Sequence, residues 1–85
     1  MDTIKTFLDE LVNTVEGWET PAQEVYKEYE RWAKDSNEYI MTATKFGKEL
    51  NKRFEKVRRS HGNVYVGLQL KRDNPAYVFQ KNNAV

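Results

Sequence analysis

Lys45, Lys48 and Lys52 stand three and four residues apart, and Lys56, Arg58 and Arg59 follow directly. At helical spacing the three lysines form one stripe. In a strand, alternation sends Lys56 and Arg58 to one face and Arg59 to the other. Ammonium and guanidinium groups in such a series bind polyanions, above all phosphates. Neighbouring polar residues suit the same task. The hydroxyls of Thr42 and Thr44, at a helix start, can bond a phosphate. The Asn51 amide can read adenine in a major groove. His61 and Asn63 flank a turn, and Lys71 and Arg72 close the basic run. These thirteen residues are the candidate contacts to double-stranded DNA. Two plainer readings stand beside that one. Lys45, Lys48 and Lys52 with Glu49 also describe a solvated helix face. Charges on a short edge strand also discourage strand-to-strand aggregation.

Catalytic chemistry has little footing. The chain holds one histidine and no cysteine, so thiol catalysis, thiolate metal sites and disulfides are excluded. A metal site would need several convergent carboxylates, and the acids fall mostly on what reads as an exposed helical face. No nucleophile and base are paired. Phe46-Gly47-Lys48 lacks the second glycine and the preceding strand of a phosphate-binding G-x-x-x-x-G-K-[ST] loop. The expectation is a protein that is not an enzyme and takes no cofactor.

The charge is unevenly divided. Formal net charge is only +1. Residues 1–38 nevertheless carry ten acids and four bases, and residues 39–85 carry three acids and ten bases. A basic half of this kind attracts a polyanion, although the two halves can also attract each other. No apolar run reaches the roughly 18–20 residues of a membrane span, and no signal peptide is visible. The chain is therefore expected to be soluble and cytoplasmic, with no membrane partner.

Eighty-five residues suffice for one core. Ile4, Phe7, Leu8, Leu11, Val12 and Val15 recur at helical steps, which predicts a first helix over about residues 3–15, stopped by Gly17. Thr20 as N-cap, Pro21 at the first helical position and Gln23 closing a capping box predict a second over about 21–35. Its apolar face is Ala22, Val25, Tyr26, Tyr29, Trp32 and Ala33, with Glu24, Glu28 and Glu30 outside. Thr42 caps a third over about 43–54, carried by Ala43, Phe46, Leu50 and Phe54. Gly47, costly in a helix interior, implies that another backbone comes close.

From Glu55 the period changes. Val57–Ser60 and Val64–Leu70 read as strands around the turn His61-Gly62-Asn63, giving a two-stranded hairpin over about 56–70. Val64, Val66, Leu68 and Leu70 share one face; Tyr65, placed on the other, is expected to pack on the third helix. Asp73-Asn74-Pro75 ends the strand. Tyr77-Val78-Phe79 reads as a short strand or local packing, and Lys81–Val85 as a tail. Three helices and a hairpin predict an α+β winged helix over residues 1–72, with 73–85 as an extension.

Three stretches carry a family resemblance. Glu24-Val-Tyr-Lys-Glu-Tyr-Glu-Arg-Trp-Ala-Lys is followed by Thr42-Ala-Thr-Lys-Phe-Gly-Lys-Glu-Leu and then by Tyr65-Val-Gly-Leu. In this order they resemble the C-terminal domain of phage and plasmid primase–helicases, the poxvirus primase–helicase group. Asp2-Thr-Ile-Lys-Thr-Phe-Leu-Asp-Glu is similar to the helix that leaves the helicase module in those proteins. The pattern is also similar to the DNA-binding domain of the regulatory factor X family, whose wing is longer and richer in Arg and Gly. The primase–helicase resemblance implies a winged-helix domain that sits behind a superfamily 3 helicase and helps it engage origin or fork DNA in a host cytoplasm. The chain would then be a separated piece of such a protein or a domain that stands alone. Its partners would be double-stranded DNA and the helicase module. The rival reading is a protein-interaction winged helix that docks through its acidic half, without nucleic acid. Binding of single strands would ask for exposed aromatics, and most aromatics here are expected in the core.

Overall fold

Helix α1 spans Thr3–Leu11 and buries Ile4 and Phe7, with Leu8 and Leu11 half-covered beside them. It ends four residues before the expected stop, because the chain turns there into a strand, β1 (Val12–Pro21). The apolar spacing through Val15 is read equally well by a shorter helix followed by a strand. Val12, Thr14 and Val15 are β-branched, which costs rotamer freedom in a helix and suits a pleated surface. Pairing decides the matter: Val12, Asn13 and Thr14 lie opposite Leu70, Gln69 and Leu68. The structure, a computed structural model, describes residues 3–74. The expected strand at Tyr77–Phe79 and the tail Lys81–Val85 lie outside the described residues.

Helix α2 (Ala22–Asp35) and helix α3 (Ala43–Asn51) follow, then β2 (Glu55–Arg59), β3 (Gly62–Leu70) and a 3-10 turn at Lys71–Asp73. The sheet is antiparallel with order β1-β3-β2. The fold class is therefore α+β with three α-helices, compatible with a winged helix. In place of the expected two-stranded wing, the hairpin joins β1 in a three-stranded sheet with β3 at the centre.

Two sequence signals find other uses in β1. Gly17 does not stop a helix but lies in an irregularity of the strand, with φ +80°. Register passes from Thr14 opposite Leu68 to Glu19 opposite Val66, so residues 15–18 face Gly67 alone. Thr20 is buried and donates its hydroxyl to the Leu68 carbonyl instead of capping α2. No side chain caps α2, so the box with Gln23 does not form; Pro21 stands at the N-cap. Proline is tolerated there because β1 is an edge strand and needs no outward N–H.

Alternation in β3 also departs from expectation. Tyr65 and then Leu68 and Leu70 all enter the one core cluster. The switch of face falls at Gly67, whose φ of +88° few other residues adopt and which opposes the irregularity in β1.

The core is aromatic at its centre. Tyr29 stacks on Phe46 at 4.5 Å between ring centroids, and Phe7 meets Tyr29 edge-on at 5.5 Å. Tyr29 also fixes the loop between α2 and α3. Its hydroxyl donates to the Tyr39 carbonyl at 3.1 Å and accepts the Met41 N–H at 3.0 Å. Tyr26 donates to the Met41 carbonyl at 2.7 Å. The loop is thereby set by α2 before α3 begins.

Candidate nucleic-acid interface

Thr42 caps α3 as expected, its hydroxyl accepting the Lys45 N–H at 3.3 Å. Thr44, Lys45, Lys48 and Asn51 are exposed along the helix. The helix stops at Asn51, not at residue 54, and the chain then folds back so that Phe54 half-buries against the core. Lys52 is exposed and holds Glu49 at 3.0 Å. Arg53 reaches the Glu49 carbonyl at 3.3 Å.

The hairpin lies against α3 at Gly47. A β-carbon at Gly47 would meet Lys56 Nζ and Tyr65 Oη, each at 3.8 Å. The close approach inferred for this glycine is therefore real, but side-chain ends make it and no backbone does. Lys56 stands opposite Tyr65 in the ladder, with its ammonium 5.9 Å from the centre of that ring. Tyr65 is 2% exposed and faces α3, as expected; burial raises the pKa of its phenol. Strand alternation places Arg58 on the same side as Lys56, and its partner Asn63 on the same side as Tyr65.

Arg59 goes to the other face. It crosses β3 and grips the Glu19 carboxylate of β1 through two nitrogens. That hydrogen bond holds the Glu19 carboxyl below its ordinary 4.5, and Glu19 in turn raises the Arg59 guanidinium. His61 is exposed in the turn after β2.

Lys71 and Arg72 are drawn elsewhere. Lys71 donates to the Asp9 carbonyl at the end of α1, at 2.9 Å. Arg72 pairs with Glu24 at 3.2 Å and with Glu28 at 3.6 Å. Glu28, expected outside the apolar face of α2, is only 6% exposed, because Arg31 and Arg72 hold it from both sides.

The basic candidates thus divide by partner, with Lys52 already held by Glu49. Lys45 and Lys48 on α3, with Lys56 and Arg58 on β2, are exposed and have no ion-pair partner among the described residues. Arg59, Arg72 and Lys71 are engaged with the acidic half. Among the described residues no cluster of His, Asp or Glu could hold a metal ion, and no helix is long and apolar enough to cross a membrane.

Sequence reasoning missed Glu19 altogether. Its only signal was an acid in an otherwise unassigned stretch, and its role depends on a strand that spacing did not reveal.

A search of curated proteins and a search of solved structures return no match. The family model described as poxvirus D5 protein-like matches residues 1–85, the whole chain. This agrees with the primase–helicase resemblance carried by the motifs of α2, α3 and β3. The chain belongs to the poxvirus D5 protein-like family and is a primase–helicase-related domain.

Proposed function

We propose that the chain is a winged-helix, double-stranded DNA-binding domain, the DNA-engaging module of a phage-type primase–helicase. The element order α1-β1-α2-α3-β2-β3 and the hairpin beside α3 support the winged-helix reading. One observation carries the function: among the described residues Lys45, Lys48, Lys56 and Arg58 lack acidic partners, and the Lys56 ammonium comes up to Gly47 of α3, the helix that carries the two other lysines. Lys52, Arg53, Arg59 and Arg72 instead meet acids of the same chain, and Lys71 meets the Asp9 backbone carbonyl. Lone cations kept together repel one another, and a polyanion relieves that repulsion. Helix α3 enters a groove, Lys56 and Arg58 hold flanking phosphates, and Asn51 offers an amide to a base edge. The domain performs no catalysis in this reading.

Fluorescence anisotropy with a labelled duplex tests it. Binding is expected to weaken with salt along a log–log slope of about −4, one unit for each lone cation. Absence of duplex binding at the lowest salt would refute the reading.

A second reading, a protein-interaction module, is favoured by the loop between α2 and α3. Tyr39 is 74% exposed and Ile40 38%, beside the acids Asp35 and Glu38. Heparin separates the two, since a docking module of that kind flows through and the DNA-binding domain is retained at moderate salt.

A further inference from the structure

Packing does not account for Gly47. The residue lies inside α3, where glycine costs about 1 kcal/mol against alanine, and its backbone has no positive φ to require it. A β-carbon there would meet only Lys56 Nζ and Tyr65 Oη, each at 3.8 Å, an ordinary contact with the ends of two side chains. The missing methyl therefore leaves a space beside two hydrogen-bond donors. Gly47 is half-buried, so that space is reached from outside.

Both donors are free to serve a ligand. Tyr65 is 2% exposed, yet its hydroxyl makes no hydrogen bond with the described residues. No buried side-chain nitrogen or oxygen among them lacks a partner, so the ring is enclosed while the oxygen keeps a path to solvent. Burial raises the pKa of the phenol, which keeps its proton available for donation. Lys56 is exposed, stands opposite Tyr65 in the ladder and has no ion-pair partner among the described residues. No described carboxylate comes within 4 Å of the β-carbon position. An ammonium beside a neutral hydroxyl can donate to the two unesterified oxygens of a phosphodiester.

Position supplies the second argument. Thr44 and Asn51 stand three residues before and four residues after Gly47, and Lys48 is its neighbour. Helical spacing puts these on one face, where Thr44, Lys48 and Asn51 are exposed. The space thus opens within the face of α3 that the duplex is expected to meet.

We propose that Tyr65 Oη and Lys56 Nζ form a seat for one backbone phosphate of the duplex, and that residue 47 is glycine to keep this seat open. One phosphate held between α3 and the hairpin fixes the register of both on the DNA. The seat rests on the duplex-binding reading above, to which it adds Tyr65 and Gly47 as contacts.

Salt-titrated anisotropy of the full chain with a labelled duplex tests it, with thermal unfolding to check that each variant folds. Tyr65→Phe removes a hydrogen bond to a charged group but no charge. Affinity is expected to fall about tenfold at every salt concentration, with the salt slope unchanged. Gly47→Ala is expected to lose affinity by a similar factor while its melting temperature holds or rises. Lys56→Gln should lower the slope by about one. Combined with Tyr65→Phe, it should cost less than the product of the two losses, because both groups hold the same phosphate.

Wild-type affinity in folded Tyr65→Phe overturns the seat and leaves the duplex reading standing. So does wild-type affinity in Gly47→Ala, or a double variant whose losses simply multiply. A wild-type chain that binds no duplex at the lowest salt overturns both readings. Inorganic phosphate that displaces the duplex from wild type at submillimolar concentration, and not from Tyr65→Phe, overturns the DNA assignment in favour of a free phosphate.

Discussion

Arg59 reaches across β3 to Glu19, forty positions earlier, and the two side chains share a pair of hydrogen bonds. Glu19 occupies the guanidinium in the way a phosphate would. With Arg59 neutralised, the far face of the hairpin contributes little to a polyanion field. Glu19→Gln removes that competitor, and duplex affinity at low salt is expected to rise about two- to fivefold, with a salt slope steeper by about one. Arg59→Gln in the wild-type background is expected to change affinity little. Salt-titrated anisotropy on both variants checks this; a strong loss with Arg59→Gln means that DNA already displaces Glu19.

The same pair fixes a pH dependence. The folded state lowers the Glu19 pKa beneath 4.5 by the Arg59 hydrogen bond, so folding favours the ionised carboxylate. That contribution is fully present above the unfolded value and is lost as pH falls through the lower folded one. Denaturation midpoints of wild type and Glu19→Gln are therefore expected to keep a constant gap at neutral pH. The gap should close only under acid conditions, below the ordinary glutamate range. A gap that closes near neutrality points to another group.

Much of the helical frame was legible because it depends on local chemistry. Tyr26, Tyr29, Trp32 and Ala33 declare their face by spacing alone, and Thr42 caps α3 through a bond three residues away. β1 was not legible. Val12 and Val15 fit a helix by period, and only the pairing of Val12, Asn13 and Thr14 with Leu70, Gln69 and Leu68 makes this stretch a strand. Arg59 and Arg72 looked like their unpaired neighbours for the same reason. Sequence marks a cation but not the distant acid that takes it up, and Glu19, Glu24 and Glu28 all lie on the far side of the chain.

Gly47 offers a test that runs against its first reading. A methyl there would sit 3.8 Å from Lys56 Nζ and Tyr65 Oη, an ordinary contact with the ends of two side chains. Gly47→Ala should then gain helix propensity without a clash and stabilise the domain by about 0.5–1 kcal/mol. A larger side chain, as in Gly47→Leu, would displace Lys56 and Tyr65 and lose that gain. Urea denaturation of both variants measures the difference; a destabilised Gly47→Ala means that the helix and hairpin are closer than these distances allow.

The Tyr29 hydroxyl serves the Tyr39 carbonyl and the Met41 N–H at once. Tyr29→Phe keeps the stacked ring against Phe46 and leaves both loop groups without that partner. A loss of about 1–2 kcal/mol is expected. Amide exchange should locate it, with faster exchange at Met41 than in the body of α2. An unchanged Met41 amide would show that water replaces the hydroxyl without cost.

Arg72 and Lys48 separate stability from binding. Arg72 holds Glu28, whose side chain is 8% exposed and has Arg31 as its one other cation among the described residues. Arg72→Gln leaves that carboxylate half-compensated in a desolvated place, at an expected cost of about 1–2 kcal/mol. Its effect on duplex affinity is expected to be slight, because its charge is already committed to Glu24 and Glu28. Lys48→Gln reverses the pattern. Lys48 is exposed and has no ion-pair partner among the described residues, so stability is expected to stay within about 0.5 kcal/mol. Affinity should fall at low salt and the salt slope should lessen by about one. Chemical denaturation and salt-titrated anisotropy on the two variants read both axes. If Arg72→Gln weakened DNA binding as much as Lys48→Gln, the division between paired and lone cations would not govern the interface, and the basic half would act through its total charge.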